Sequence, residues 1–365
     1  MNTSLLSSNI VILPNQNGIM AEDKKVTPIS ALGEFGLINR LTAGFETVNP
    51  STLKGVGDDA AVIDSLGKKT VVSTDLLVEG IHFDLVYTPL KHLGYKSVIV
   101  NLSDIYAMNA EPQQITVSLA LSSRFTVEAL DELYAGIKLA CKHYKVDLVG
   151  GDTTSSLSGL VISVTAIGIA DANDLVYRNG AKEGDLICVT GDLGAAYLGL
   201  QILEREKRIY MEHPDLEPEL ENADYLIGRQ LKPEARKDVI EYFKEFEIKP
   251  TAMMDLSDGL SSDVMHICTQ SGVGCQIFEG EVPLSEDAYQ MALKFNLDPI
   301  TCALNGGEDY ELLFTIEPQD ETKLAGDETF SVIGQITKKE EGYILVTKSN
   351  NRHPLKAQGW NHFAG

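Results

Sequence analysis

Asp147-Leu-Val-Gly-Gly-Asp-Thr-Thr154 (DLVGGDTT) is the stretch on which the reading of the fold turns. A short apolar run enters two glycines and an aspartate. Runs of this kind read as buried strands, and glycine lets backbone N–H groups approach a ligand closely, so the pattern predicts a strand delivering a loop that faces phosphate or metal. Just before it, Val127 to Tyr144 has the apolar spacing of an amphipathic helix, Gln114 to Leu121 alternates as a strand, and Gly94 to Asn109 is again helical. Just after it, Leu160 to Ala170 reads as the strand that closes this first unit. Farther upstream, AAVID (60–64) and TVVST (70–74) flank Ser65-Leu66-Gly67 and predict a hairpin, which sets Asp59 and Asp75 near strand ends. Ser30 to Leu41 has helical spacing, and residues 1–26 form a polar leader expected to be disordered, with Met20 as an alternative start.

From about Asp171 a second unit repeats the theme of strand, glycine turn and helix. Leu186 to Val189 is a buried strand, and Gly191-Asp192-Leu193-Gly194 opens a helix through about Leu203. The charge-rich segment Glu204 to Asn222 reads as a solvated helical excursion, MDLSDGLSSDVMHIC (254–268) as a loop running into a helix, and Tyr310–Ile316, Ser331–Thr337 and Tyr343–Thr347 as strands. The expectation is an α/β protein of two domains, residues 27–170 and 171–365.

The chain has 365 residues, enough for two domains, and its 53 acidic against 30 basic residues give a formal charge of −23. That balance, without a basic patch, argues against a nucleic-acid or anionic-membrane surface. No stretch approaches the ~20 apolar residues needed to span a bilayer. The five cysteines are scattered, with no C-x-x-C, so neither a disulfide framework nor a zinc site is indicated, and a cytoplasmic enzyme is expected.

Aspartates stand beside small residues in GVGDDAAV (Asp58, Asp59), STD (Asp75), NLSD (Asp104), GGDTT (Asp152) and DLSDG (Asp255, Asp258). Any one of these is commonly a simple turn. Gathered in one cleft they repel one another and call for a hard cation such as Mg2+. The chain lacks both the P-loop G-x-x-x-x-G-K-[ST] and the protein-kinase H-R-D and D-F-G pair, so a nucleotide here would be held mainly through metal. Phosphoryl transfer suits such a site, because its catalysis is largely positioning and charge neutralisation.

The blocks GEFGLINRL (33–41), GVGDDAAV (55–62), STDLLVEGIHF (73–83), KSVIVNLSDIYAMNAEP (96–112), LVGGDTTSS (148–156), DLSDGLSSD (255–263) and GGEDYELLF (306–314) occur in the order seen in thiamine-monophosphate kinases, which the chain resembles from about Leu32 to its end. Several are shared with aminoimidazole ribonucleotide synthetase and selenophosphate synthetase, while STDLLVEGIHF, DLSDGL, GGEDYEL and the terminal GWNHF are specific to the kinases. The resemblance implies an N-terminal domain that pairs with a second copy in a homodimer, forming a shared β-barrel flanked by helices, and a C-terminal α/β sandwich domain, with the nucleotide cleft between domains. It implies Mg2+-dependent transfer from ATP to thiamine phosphate, with several ions held by Asp59, Thr74, Asp75, Asp104, Asp152, Asp255 and Asp258. Of these, Asp59, Asp75 and Asp258, together with Arg178, would be catalytic. Gly151, Asp152, Arg178, Ser257 and Tyr134 would serve ATP, and His82, Glu308 and Trp360 the thiamine phosphate. The alternatives are an aminoimidazole ribonucleotide synthetase-like enzyme and a non-catalytic MgATP-sensing protein.

Overall fold

The computed structural model describes Thr27, Leu32, Leu37, residues 40–54 and residues 62–357. Within the first unit, β3 (Lys69–Val78), β4 (Glu111–Leu121), β5 (Asp147–Ser155) and β6 (Leu160–Ala170) form a sheet in the order β3-β6-β4-β5, parallel only between β4 and β5. The alternation in β6 is the reason for the layering. Leu160, Ile162, Val164 and Ala166 are fully buried toward the helices, while Val161, Ser163 and Thr165 face the other way. On the buried face lie the helices Leu90–Ala107 and Val127–Tyr144. They cross in backbone contact, since a Cβ on Gly94 would lie 1.9 Å from the Leu133 carbonyl oxygen and one on Gly136 would lie 1.9 Å from that of Lys91. Thr126 caps the second helix by accepting the Ala129 N–H at 3.3 Å.

The second unit is built on a seven-stranded sheet, β13-β12-β9-β11-β7-β10-β8, running β7 (Leu186–Thr190), β8 (Ala252–Asp255), β9 (Gly274–Phe278), β10 (Leu312–Ile316), β11 (Phe330–Thr337), β12 (Tyr343–Val346) and β13 (Arg352–Pro354). Its central strands are apolar throughout because both faces are covered. Val189 and Leu313 pack toward the helix Leu260–Ser271, while Cys188 and Phe314 pack toward Val239 and Phe243 of the helix Lys237–Glu245. The Leu90–Ala107 helix has hardly a polar face, with buried residues around most of its circumference, because it packs on the first sheet and also touches β8 of the second unit. Among the described residues no helix is long and apolar enough to cross a membrane, and all five cysteines are buried and free.

Three expectations are corrected. Among the described residues AAVID and TVVST do not pair with each other: β2 (Val62–Ile63) pairs with β1 (Thr52–Lys54), and β3 pairs along its whole length with β6, so Asp75 sits inside a ten-residue strand. Gly150-Gly151-Asp152 is not a loop but part of β5, and Gly151 is demanded by the neighbouring strand, since a Cβ there would meet the Val117 carbonyl oxygen at 1.8 Å. The helix expected to end near Leu203 runs Ala195–Glu212; the charge-rich segment is solvated as expected, helical to Glu212, and held at one point by buried Glu206, which pairs with Arg205 at 2.7 Å and accepts the Glu219 N–H at 2.9 Å. The leader, most of the Ser30 to Leu41 segment, Asp59 and Trp360 lie outside the described residues, although Leu37 and Leu41 are buried in the first core.

Candidate active site

The two units meet along a cleft of about 630 Å³. Its acidic end is assembled from three elements. Asp75 projects from β3 on the side facing the helices, and its N–H donates to Asn101 Oδ1 at 2.9 Å, which pins the strand to the Leu90–Ala107 helix. Asp104, one turn on, accepts a short hydrogen bond from the Ser73 hydroxyl. Asp255 ends β8 and accepts from Ser103 Oγ at 2.7 Å, so adjacent residues of a first-unit helix hold one carboxylate of their own and one of the second unit. Ser257 and Asp258 follow in the turn before the helix Leu260–Ser271 and also line the cleft.

Burial, and in part their neighbours' charge, raises the proton affinity of these carboxylates. Burial pushes Asp75 up to about 6, with Asp104 adding to the shift. Asp104 is raised by burial, against the opposing effects of the Ser73 hydrogen bond and the Arg178 charge. Burial raises Asp255 to about 7, helped by Asp104 and Asp75 and opposed by Ser103 and Arg178. Behind them Asp263, fully buried, accepts the N–H groups of Asp258 at 3.3 Å and Gly259 at 3.2 Å and is pushed to about 8, first by burial and then by Asp258 and Asp255. A group of acids poised to take up protons is one that a bound cation would return to the charged form. Among the described residues no three His, Cys, Asp or Glu side chains converge as a ready-made metal cage.

His82 and Glu308 also line the cleft. His82 Nδ1 accepts the Val78 N–H at 3.0 Å, which sets the neutral ring's proton on Nε2. Glu308 stands in the left-handed region with φ 65°, as does Tyr310 with φ 51°. Its loop is held from below by Asp309, which accepts the N–H groups of Gly194 and Ala196 at the start of the Ala195–Glu212 helix, and by Glu311, which binds Thr190 Oγ1 at 2.6 Å, Arg229 at 2.7 Å and Arg236.

Five of the expected residues stand elsewhere. Thr74 is on the opposite face of β3 from Asp75, bonded to the Val164 carbonyl oxygen at 3.1 Å. Gly151 and Asp152 lie on β5, three strands from β3 and hence about 14 Å away. Tyr134 is a core residue in edge contact with Phe45. Arg178 is exposed beside the cleft, close enough for its charge to act on Asp104 and Asp255. The sequence reading passed over Ser103, Asn101, Asp263, Lys96 and the Arg229–Glu311–Arg236 group. Lys96 carried a local signal, a lone cation at the head of the apolar run SVIV, and Asn101, Ser103, Asp263 and Glu311 lay inside quoted blocks without a role being read for them.

The comparisons agree with this architecture. The AIR synthase related protein N-terminal domain family matches residues 57–170, and the AIR synthase related protein C-terminal domain family matches residues 182–347. The chain is 37% identical over 335 residues to the thiamine-monophosphate kinase of Aquifex aeolicus, covering 92% of this chain and 99% of that protein. It is 33% identical to that of Bacillus subtilis, over 91% of this chain and all of the relative. Among solved structures, AaThiL complexed with AMPPCP and TMP superimposes with a TM-score of 0.70 at 34% identity, over 92% of this chain and 98% of that one. With matches that run nearly end to end through the blocks that build the cleft, the chain belongs to the thiamine-monophosphate kinase family.

Proposed function

We propose that the chain carries the activity its relatives are named for, moving the γ-phosphoryl group of ATP onto thiamine phosphate to give thiamine diphosphate and ADP. The observation that carries this reading is that Asp75, Asp104 and Asp255, from both units, line one cleft, where Asp104 raises the proton affinity of Asp75 and both raise that of Asp255. An all-oxygen donor set under that repulsion fits Mg2+. The lack of a closed cage fits it too, because Mg2+ keeps waters and takes phosphate oxygens as ligands. When bound, such ions neutralise and orient the phosphates.

In this reading Asp75, Asp104, Asp255 and Asp258 hold the metal, Ser257 contacts the nucleotide, and Arg178 offers a guanidinium to charge developing on the transferred group. His82 and Glu308 face the organic acceptor. The roles of Asp59, Thr74, Gly151, Asp152, Tyr134 and Trp360 rest on the family resemblance. The acceptor phosphate has a second pKa of about 6 and is already an oxyanion near neutrality, so no general base is needed. The first domain ends at residue 170, and a second copy covers the open face of its sheet, where Val72 is 61% and Leu76 53% exposed, closing a barrel. Free buried cysteines and use of ATP suit the cytoplasm.

The test is a panel of acceptors with MgATP, following ADP release. Turnover with thiamine phosphate but not with free thiamine or the aminoimidazole-pathway substrate supports the reading. Nucleotide binding without turnover on any acceptor points instead to a MgATP-sensing protein.

A further inference from the structure

Lys96 has no part in the chemistry above, yet its ammonium is buried at the edge of the site. It projects from the Leu90–Ala107 helix with its side chain 5% exposed, and Nζ donates to the Gln230 carbonyl oxygen at 2.9 Å and to Glu308 Oε2 at 3.1 Å. Gln230, also buried, donates from Nε2 to the same Oε2 at 2.7 Å. Both donors therefore converge on one oxygen of Glu308, and among the described residues nothing bonds to Oε1. The main chain is fixed as well: the Glu308 N–H donates to the Ser257 carbonyl oxygen at 2.9 Å, and the residue holds its φ of 65°. Packing alone gives no reason for a lysine here, since burying an ammonium is costly and an apolar side chain would fill the space.

We propose that Lys96, assisted by Gln230, is a positioning residue for acceptor recognition. By anchoring Oε2 it presents Oε1 of Glu308 to the cleft as a fixed anionic acceptor for the cationic, hydrogen-bond-donating ring end of thiamine phosphate. Lys96 belongs to the first unit, whereas Gln230 and Glu308 belong to the second. The Lys96 half of the anchor thus needs both units in place, which couples acceptor recognition to their apposition. The inference rests on the reading of Glu308 as an acceptor contact.

The experiment is a double-mutant cycle on the full chain with K96M, E308Q and K96M/E308Q, measuring KM separately for thiamine phosphate and MgATP. K96M is expected to raise KM for thiamine phosphate about tenfold or more, the scale of a charge-assisted hydrogen bond, with KM for MgATP within about twofold. In the E308Q background K96M is expected to add no more than about twofold, because the amide has no anionic oxygen left to present. Equal effects on both substrates, or the same penalty in both backgrounds, would overturn the proposal. If E308Q alone leaves KM for thiamine phosphate unchanged, the assignment of Glu308 itself fails; if E308Q raises it and K96M does not, only the role of Lys96 fails. Should K96M not fold, Q230L decides by the same cycle: a selective rise in KM for thiamine phosphate that vanishes in E308Q sustains the anchor, and its absence refutes it.

Discussion

Glu311→Gln isolates the group that supports the acceptor loop. Glu311 is 1% exposed and, among the described residues, carries the only carboxylate that touches both guanidiniums, with Arg229 at 2.7 Å, Arg236 in a shorter contact and the Thr190 hydroxyl at 2.6 Å. The amide keeps the shape and removes the charge. Among the described residues Arg229 would keep one anionic partner, Asp309 at 3.8 Å, with two carbonyl oxygens, while Arg236 would keep Asp238 at the surface; the amide oxygen of Gln could accept from one of them without charge. Breaking a buried pair from one side costs about 3–5 kcal/mol, and these surviving partners place the loss at the lower end, about 3 kcal/mol. For a folding unit of this size each kcal/mol corresponds to about 2–4 °C, so the melting temperature should fall by about 6–12 °C in differential scanning calorimetry. Glu308 and Tyr310, both at positive φ, lie within three residues of position 311, so KM for thiamine phosphate should rise more than KM for ATP. A melting temperature within about 2 °C of the parent, with both KM values unchanged, would refute the view that this ion group holds the loop.

Asp75→Asn and Asp258→Asn should each lower turnover by about a hundredfold, because each removes a proposed metal ligand and no core packing, and neither should lower the melting temperature without Mg2+; Asp75→Asn should raise it near pH 8, where a buried charge is lost. Normal turnover at saturating Mg2+ would remove that residue from the metal site. In the metal-free protein, Asp75 at about 6, Asp255 at about 7 and Asp263 at about 8 keep protons that the unfolded chain, with carboxyls near ~4, has already released. Stability should therefore fall as the pH rises from about 5 to 8, and Mg2+ should restore most of it at pH 8; a flat or rising melting curve without metal would contradict the clustering. Gly151→Ala should destabilise by about 2 kcal/mol or more, read from the shift in denaturation midpoint, because its Cβ would fall 1.8 Å from the Val117 carbonyl oxygen and force β5 away from β4.

What the sequence made legible was whatever had its cause nearby. Leu160–Ala170 and Val127–Tyr144 were read to the residue because a one-sided or two-sided burial pattern runs through each from end to end. The 65–68 turn was read correctly as a turn, with Leu66 at φ 55° and Gly67 at φ 78° and a Lys68 N–H to Ser65 carbonyl bond at 3.0 Å. The hairpin it implied was wrong because β3 finds a longer partner in β6, about ninety residues downstream, and no local signal encodes that choice. The helices Asp224–Leu231, Lys237–Glu245, Glu286–Lys294 and Pro299–Asn305 went unread because they are too short for their periodicity to stand out, and their stability comes from packing. In the site, the acidic motifs announced themselves through glycine and aspartate chemistry. Lys96 did not, since its meaning lies in partners 134 and 212 residues away. Gly151 was noticed for the close approach of a ligand, while the structure gives a neighbouring strand as the reason for glycine.

The most direct test of the central claim is to follow the label of γ-32P-ATP in the presence of Mg2+ and thiamine phosphate. The account predicts that the label appears in the terminal phosphate of thiamine diphosphate, in step with ADP release and with loss of both when Mg2+ is chelated. Label recovered as inorganic phosphate, or ADP formed at the same rate without thiamine phosphate, would contradict it.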